Sequence, residues 1–145
     1  MKVLIAVDGS NESRDAMTKA FELFGADADY TLVSVGAPTL PLTLGYPSGG
    51  FTSPGELEIA AKAAEDAARA AVDEAEHLLH AAHVDTVVAS EPGSTGSAII
   101  RVADDIDADV VVIGSRDRGV FARLFDPSVG KYLIDHANCP VLVVR

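Results

Sequence analysis

Residues 3–10 read Val3-Leu4-Ile5-Ala6-Val7-Asp8-Gly9-Ser10. Five apolar residues follow one another without alternation, then come an acid, a glycine and a hydroxyl. A strand covered on both faces reads this way, because neither side chain direction meets water. Four more short runs rich in β-branched residues lie at 30–35, 85–89, 110–113 and 141–144. The stretches between them carry helical periodicity. Residues 12–24 place Ala16, Ala20, Leu23 and Phe24 on one side, and residues 55–82 are rich in Ala and Glu. Residues 96–106 carry Ile99, Ile100, Ala103 and Ile106, and residues 128–136 carry Val129, Leu133 and Ile134. Strands alternating with helices predict βαβ units with right-handed crossovers, hence a three-layer α/β/α sandwich around a parallel sheet.

Two segments break the alternation. Residues 36–53 hold Pro38, Pro41, Pro47 and four glycines, which predicts an irregular loop, long for a domain of this size. The helix after it would run about 40 Å at 1.5 Å per residue. Strands of five or six residues span only about 17–20 Å. Part of that helix is therefore expected to overhang the sheet, or its start to be irregular.

Length and charge narrow the function. The chain has 145 residues, 11 basic and 22 acidic side chains and a net charge of −11. One domain over 1–145 is the expectation. Hydrophobic residues make up 48% and mean hydropathy is +0.23, so a core can form despite the charge. So acidic a chain does not read as a nucleic-acid binder, because phosphate neutralisation needs Lys and Arg. Fourteen Asp, eight Glu and only four Lys suggest a halophilic surface, kept soluble where mobile ions screen self-repulsion. No apolar run approaches the ~18 residues of a membrane span, and Met1-Lys2 leads straight into a strand, so a cytoplasmic protein is expected. Cys139 stands alone before an apolar run and reads as packing.

Two places could carry chemistry. Asp8 ends the first strand, at the sheet edge where open α/β folds bind ligands; the plainer role for Asp8 or Ser10 is capping the next helix. The second place runs from Gly114 through Arg116 and Arg118 to Lys131. Residues 114–131 hold four basic against two acidic side chains, a local +2 that leaves −13 on the rest of the chain. A turn that leads into a helix N-terminus suits an anion. His77, His80 and His83 recur every three residues, but no further ligand is placed to complete a metal site, so no metal is assigned. Residues 91–97 read as a turn whose Ser and Thr cap the following helix. No Ser-His-Asp order and no Walker-type phosphate loop is present.

The chain resembles the universal stress protein family. The resemblance rests on the opening Val3–Ser10, on Ala108-Asp109-Val110-Val111-Val112-Ile113-Gly114-Ser115, and on the close Cys139-Pro140-Val141-Leu142-Val143-Val144. It implies an adenine nucleotide alpha hydrolase-like fold with a five-stranded sheet of order 3-2-1-4-5. It also implies a homodimer paired through Val141–Val144. Members of the family that bind ATP carry a glycine, two residues, a second glycine, nine residues, then glycine and Ser or Thr. On this chain the first glycine is Gly114, the second slot is Asp117, the third is Pro127, and Ser128 is retained. Pro127 lacks an N–H donor, while a proline suits the first position of a helix, with Asp126 before it as the cap.

The resulting expectation is a stress-response protein with an adenine-nucleotide or other anion site at the carboxyl ends of strands 1 and 4. The ligand would be ATP or AMP, with Mg²⁺ for the triphosphate, and turnover would amount at most to weak ATPase activity. The site would gather Asp8, Val35, Gly114, Arg116, Ser128, Val129 and Gly130, with Val35 standing where the family's base-contacting valine stands. The alternative is a member that binds no ATP and acts through its homodimer and through surfaces for a protein partner.

Overall fold

A computed structural model of the chain describes residues 1–36, 54–78, 83–89, 94–115 and 127–145. Five strands and four helices alternate: β1 (Lys2–Ala6), α1 (Asn11–Phe24), β2 (Asp29–Val35), α2 (Pro54–Leu78), β3 (His83–Ala89), α3 (Thr95–Asp105), β4 (Val110–Gly114), α4 (Pro127–His136) and β5 (Val141–Val144). The strands form one sheet of order β3-β2-β1-β4-β5, and every pairing is parallel. The expected order and sandwich are those observed.

The unbroken apolar runs have a direct cause. Val3, Ile5 and Val7, with Val110 and Val112, face a core shared with Ala16, Met17 and Ala20 of α1 and Val72 and Ala75 of α2. Leu4 and Ala6, with Val111 and Ile113, face the opposite core, with Ile99 and Val102 of α3 and Val129 and Leu133 of α4. Successive strand side chains point to opposite faces, so a strand with helices on both sides must be apolar at every position. Val3, Leu4, Ile5, Val111 and Val112 are fully buried.

The overhang predicted for α2 is present. Gly36, just past β2, lies against the backbone of Ala64 and Glu65. Gly9, just past β1, faces Ala71. α2 therefore meets the carboxyl edge of the sheet near its middle. Among the described side chains of α2, burial begins at Ala68, whereas Gly55, Glu58, Ile59 and residues 61–63 are exposed. The first half of α2 thus projects beyond the sheet on the side where β1 and β2 end. The loop expected over 36–53 lies outside the described residues apart from Gly36.

Most boundaries shift by one residue from the sequence reading, and β3 shifts by two: it begins at His83, not residue 85, while the described part of α2 runs to Leu78. β3 pairs along its full length with β2, from Asp29↔His83 to Val35↔Ala89. This long ladder extends the strand back through Val84 to the polar His83, which hydropathy alone does not mark. It also divides the histidine triplet. His77 sits on α2 and His83 on β3, so the three do not share one helix face.

Candidate functional site

The chain order reverses at β1. From β1 it moves outward to β2 and β3, then returns to β4 on the other side. The crevice at the carboxyl ends of β1 and β4 is therefore the topological switch point where such sheets bind ligands. The β1–β4 ladder runs as far as Ile5↔Val112, so the ends of both strands, and Asp8 and Gly114 with them, come to this edge.

On the β1 side, Val7 donates its N–H to Val33 O at 2.9 Å, which continues the ladder one step past the strand. Gly9 then adopts φ +74°, left-handed backbone that side chains rarely tolerate, and this turns the chain into α1. Ser10 is the N-cap: its hydroxyl oxygen accepts from Ser13 N at 3.2 Å. Asp8 Oδ1 accepts the Ser10 N–H at 3.0 Å and also the Ser10 hydroxyl. The capping role weighed for this pair is thus divided. Ser10 caps the helix, and Asp8 braces Ser10. Both bonds reach one oxygen of a half-buried carboxylate, in keeping with an acceptor at the mouth of the crevice.

On the β4 side, Gly114 is shaped by its neighbours. A Cβ there would lie 2.4 Å from the Glu12 carbonyl oxygen and 2.6 Å from its carbon. The first turn of α1 leaves no room for a side chain at this strand end. Ser115 donates its N–H to Val144 O at 2.6 Å, which carries the β4–β5 ladder past the last strand residue. The chain leaves the described residues at 116, so Arg116 and Asp117 fall outside them, as do Arg118 and Asp126.

α4 begins at Pro127, as its sequence predicts. Its first turn leaves backbone N–H groups without helical partners, though Pro127 contributes none. Ser128 lies in that turn. Val129 is expected in the site, but its side chain is only 6% exposed and belongs to the core under α3 and α4. Only its backbone can face a ligand. Gly130 lies beside Ile113, whose Cδ1 is 3.4 Å from where a Cβ would stand. Val35 ends β2, half-buried and packed against the same core. Asp8, Val35, Gly114, Val129 and Gly130 thus all lie at, or one turn from, the carboxyl edge.

Lys131 contributes less to the positive island than its charge suggests. It pairs with Asp135 one turn on, and this bond lowers the Asp135 carboxyl below its usual range. At α3, Ser94 caps the helix through Ser97 N at 3.2 Å, as expected for that turn. Cys139 is half-buried against the α3–α4 core; burial, with Asp104 nearby, raises its thiol above the ordinary range. Among the described residues no three metal-ligating side chains gather, and no helix is long and apolar enough to cross a membrane. Glu12 and Gly36 border the same edge, and sequence reading did not single them out. A glycine directly after a strand was the available signal for Gly36; Glu12 carried none.

The sequence model of the universal stress protein family matches residues 1–145. A universal stress protein of Thermus aquaticus is 31% identical, covering 99% of this chain and 97% of the relative. A solved protein of the universal stress protein family from Burkholderia pseudomallei superposes with a TM-score of 0.70 at 25% identity, covering 99% of this chain and 94% of its own. A universal stress protein solved in complex with cAMP superposes with a TM-score of 0.67 at 21% identity, covering 100% and 97%.

Proposed function

Since the chain belongs to the universal stress protein family, we propose that it serves the stress response by holding an adenine nucleotide with a single phosphate, at the crevice between β1 and β4. The observation that carries the reading is the convergence at the switch point. Asp8, braced by Ser10, offers an acceptor for a ribose or base, and the first turn of α4 offers backbone donors for an anion. A fold neighbour holds cAMP, an adenine nucleotide with one phosphate. The short phosphate follows from Asp117 and Pro127. An acid and a missing donor stand where ATP-binding relatives have glycines, and a triphosphate with Mg²⁺ needs those contacts more than a monophosphate does. Arg116, two positions past β4 in the sequence, is the cation that this reading assigns to the phosphate. We read the protein as a binder rather than a hydrolase, since the sequence holds no nucleophile with its base.

The working form in this reading is a homodimer joined through β5. Val111 donates to Pro140 O and Ser115 to Val144 O, so alternation turns the backbone N–H and C=O of Val141 and Val143 away from β4. Such an edge is a template for a second strand. The acidic surface fits a cytoplasm rich in salt, and a protein partner would read the nucleotide state.

Isothermal calorimetry with AMP, ADP and ATP, with and without Mg²⁺ and in molar KCl, tests the nucleotide reading. It predicts heat with AMP that Asp8→Ala abolishes. No heat with any of the three, on folded protein, contradicts it.

A further inference from the structure

Glu12 lies in the first turn of α1 and is half-buried. Its backbone packs on Gly114, and its Cβ lies 3.1 Å from where a Cβ on Gly114 would stand. Its side chain therefore leaves the helix beside the carboxyl end of β4. Glu12 has an interaction partner of its own, so it is no freely sweeping surface acid.

We propose that Glu12 is a specificity-determining residue of this crevice, selecting adenine nucleotides with one phosphate against those with two or three. The proposal rests on the nucleotide reading above and deepens it. The positive end of the α1 dipole would favour an anion, but the Glu12 carboxylate already occupies that first turn. Each phosphoryl group beyond the first adds negative charge to a crevice that Glu12 borders. The repulsion grows with the number of phosphates, and at a partly buried edge water and salt screen it incompletely. The adenosine portion carries no charge and does not feel it. Pro127 acts in the same direction by removing a donor from the first turn of α4.

The test is calorimetry with AMP and with ATP on the wild-type protein, Glu12→Gln, Glu12→Asp and Asp27→Asn. Asp27 is exposed and precedes β2 at the opposite edge of the sheet, so its variant controls for net charge. Glu12→Gln should strengthen ATP relative to AMP by about five- to tenfold, or roughly 1–1.4 kcal/mol. Glu12→Asp and Asp27→Asn should leave the ratio unchanged, and added KCl should narrow the gap between wild type and Glu12→Gln. An unchanged ratio in Glu12→Gln, with AMP still bound, overturns the role of Glu12 and leaves the nucleotide reading standing. A shift of equal size in Asp27→Asn also overturns it, by assigning the effect to net charge. Absence of binding by either nucleotide to the wild type overturns both.

Discussion

The Asp8 carboxylate holds Ser10 twice through one oxygen: Oδ1 accepts the Ser10 N–H at 3.0 Å and the Ser10 hydroxyl as well. Ser10 in turn caps α1 through Ser13 N. The residue placed at the ligand edge therefore also supports the start of the first helix, and its two roles call for separate variants.

Asp8→Ala should destabilise the fold by about 1 kcal/mol, the usual scale for a weakened N-cap. Asp8→Asn keeps an acceptor at Oδ1 and should cost less. Both should weaken AMP binding, because the charged acceptor is gone in each. Thermal melts beside calorimetry separate the effects; if Asp8→Asn binds AMP as the wild type does, Asp8 acts on the helix alone.

Gly114 and Gly130 should respond in opposite ways to alanine. At Gly114 the new Cβ meets the rigid carbonyl of Glu12 at 2.4 Å, and overpacking against backbone costs about 1–3 kcal/mol or more. At Gly130, among the described residues, it meets only the flexible end of Ile113 at 3.4 Å. Inside a helix, alanine gains roughly 0.5–1 kcal/mol over glycine. Denaturant unfolding should show Gly114→Ala destabilised and Gly130→Ala unchanged or stabilised.

Tyr30 is 1% exposed, and its hydroxyl donates to the Gly25 carbonyl at 2.7 Å, where α1 ends. Tyr30→Phe should cost about 1 kcal/mol. Burial raises the phenol above its usual value of 10.0, so the folded state favours the neutral form. That contribution is complete below about pH 10 and is lost as pH rises through the raised folded value. Stability measured from pH 8 to 12 should fall at the alkaline end, and Tyr30→Phe should flatten that fall.

Much of this fold is legible in the sequence. Val3–Val7 and Val110–Ile113 are apolar at every position because helices cover both faces, and that marks a parallel sheet without further information. Boundaries set by pairing are harder to read. His83 belongs to β3 because Asp29 of β2 pairs beside it, and no local propensity says so. Asp8 and Gly114 are legible as site candidates because they end strands. Val35 is legible only through the family resemblance. Val129 looks like a ligand contact from its place in the motif, yet its periodicity with Leu133 already marks it as core. The closeness of Glu12 to Gly114 joins residues about a hundred positions apart and has no sequence signature.

The edge of β5 gives a clean test of the dimer. Val143→Pro removes an N–H that points away from β4, so the sheet's own ladder stays intact. Analytical ultracentrifugation should find the wild type dimeric and this variant monomeric, with its far-UV circular dichroism unchanged. A dimer that persists in Val143→Pro places the interface elsewhere.

The central claim, a single-phosphate adenine nucleotide between β1 and β4, is tested most directly by amide NMR during titration with AMP. Shifts concentrated at Gly9, Ser10, Gly114, Ser115, Val129 and Gly130 are predicted, with Asp27 and Asp107 at the opposite edge unmoved. A spectrum that AMP leaves unchanged, or shifts centred on that opposite edge, would contradict it.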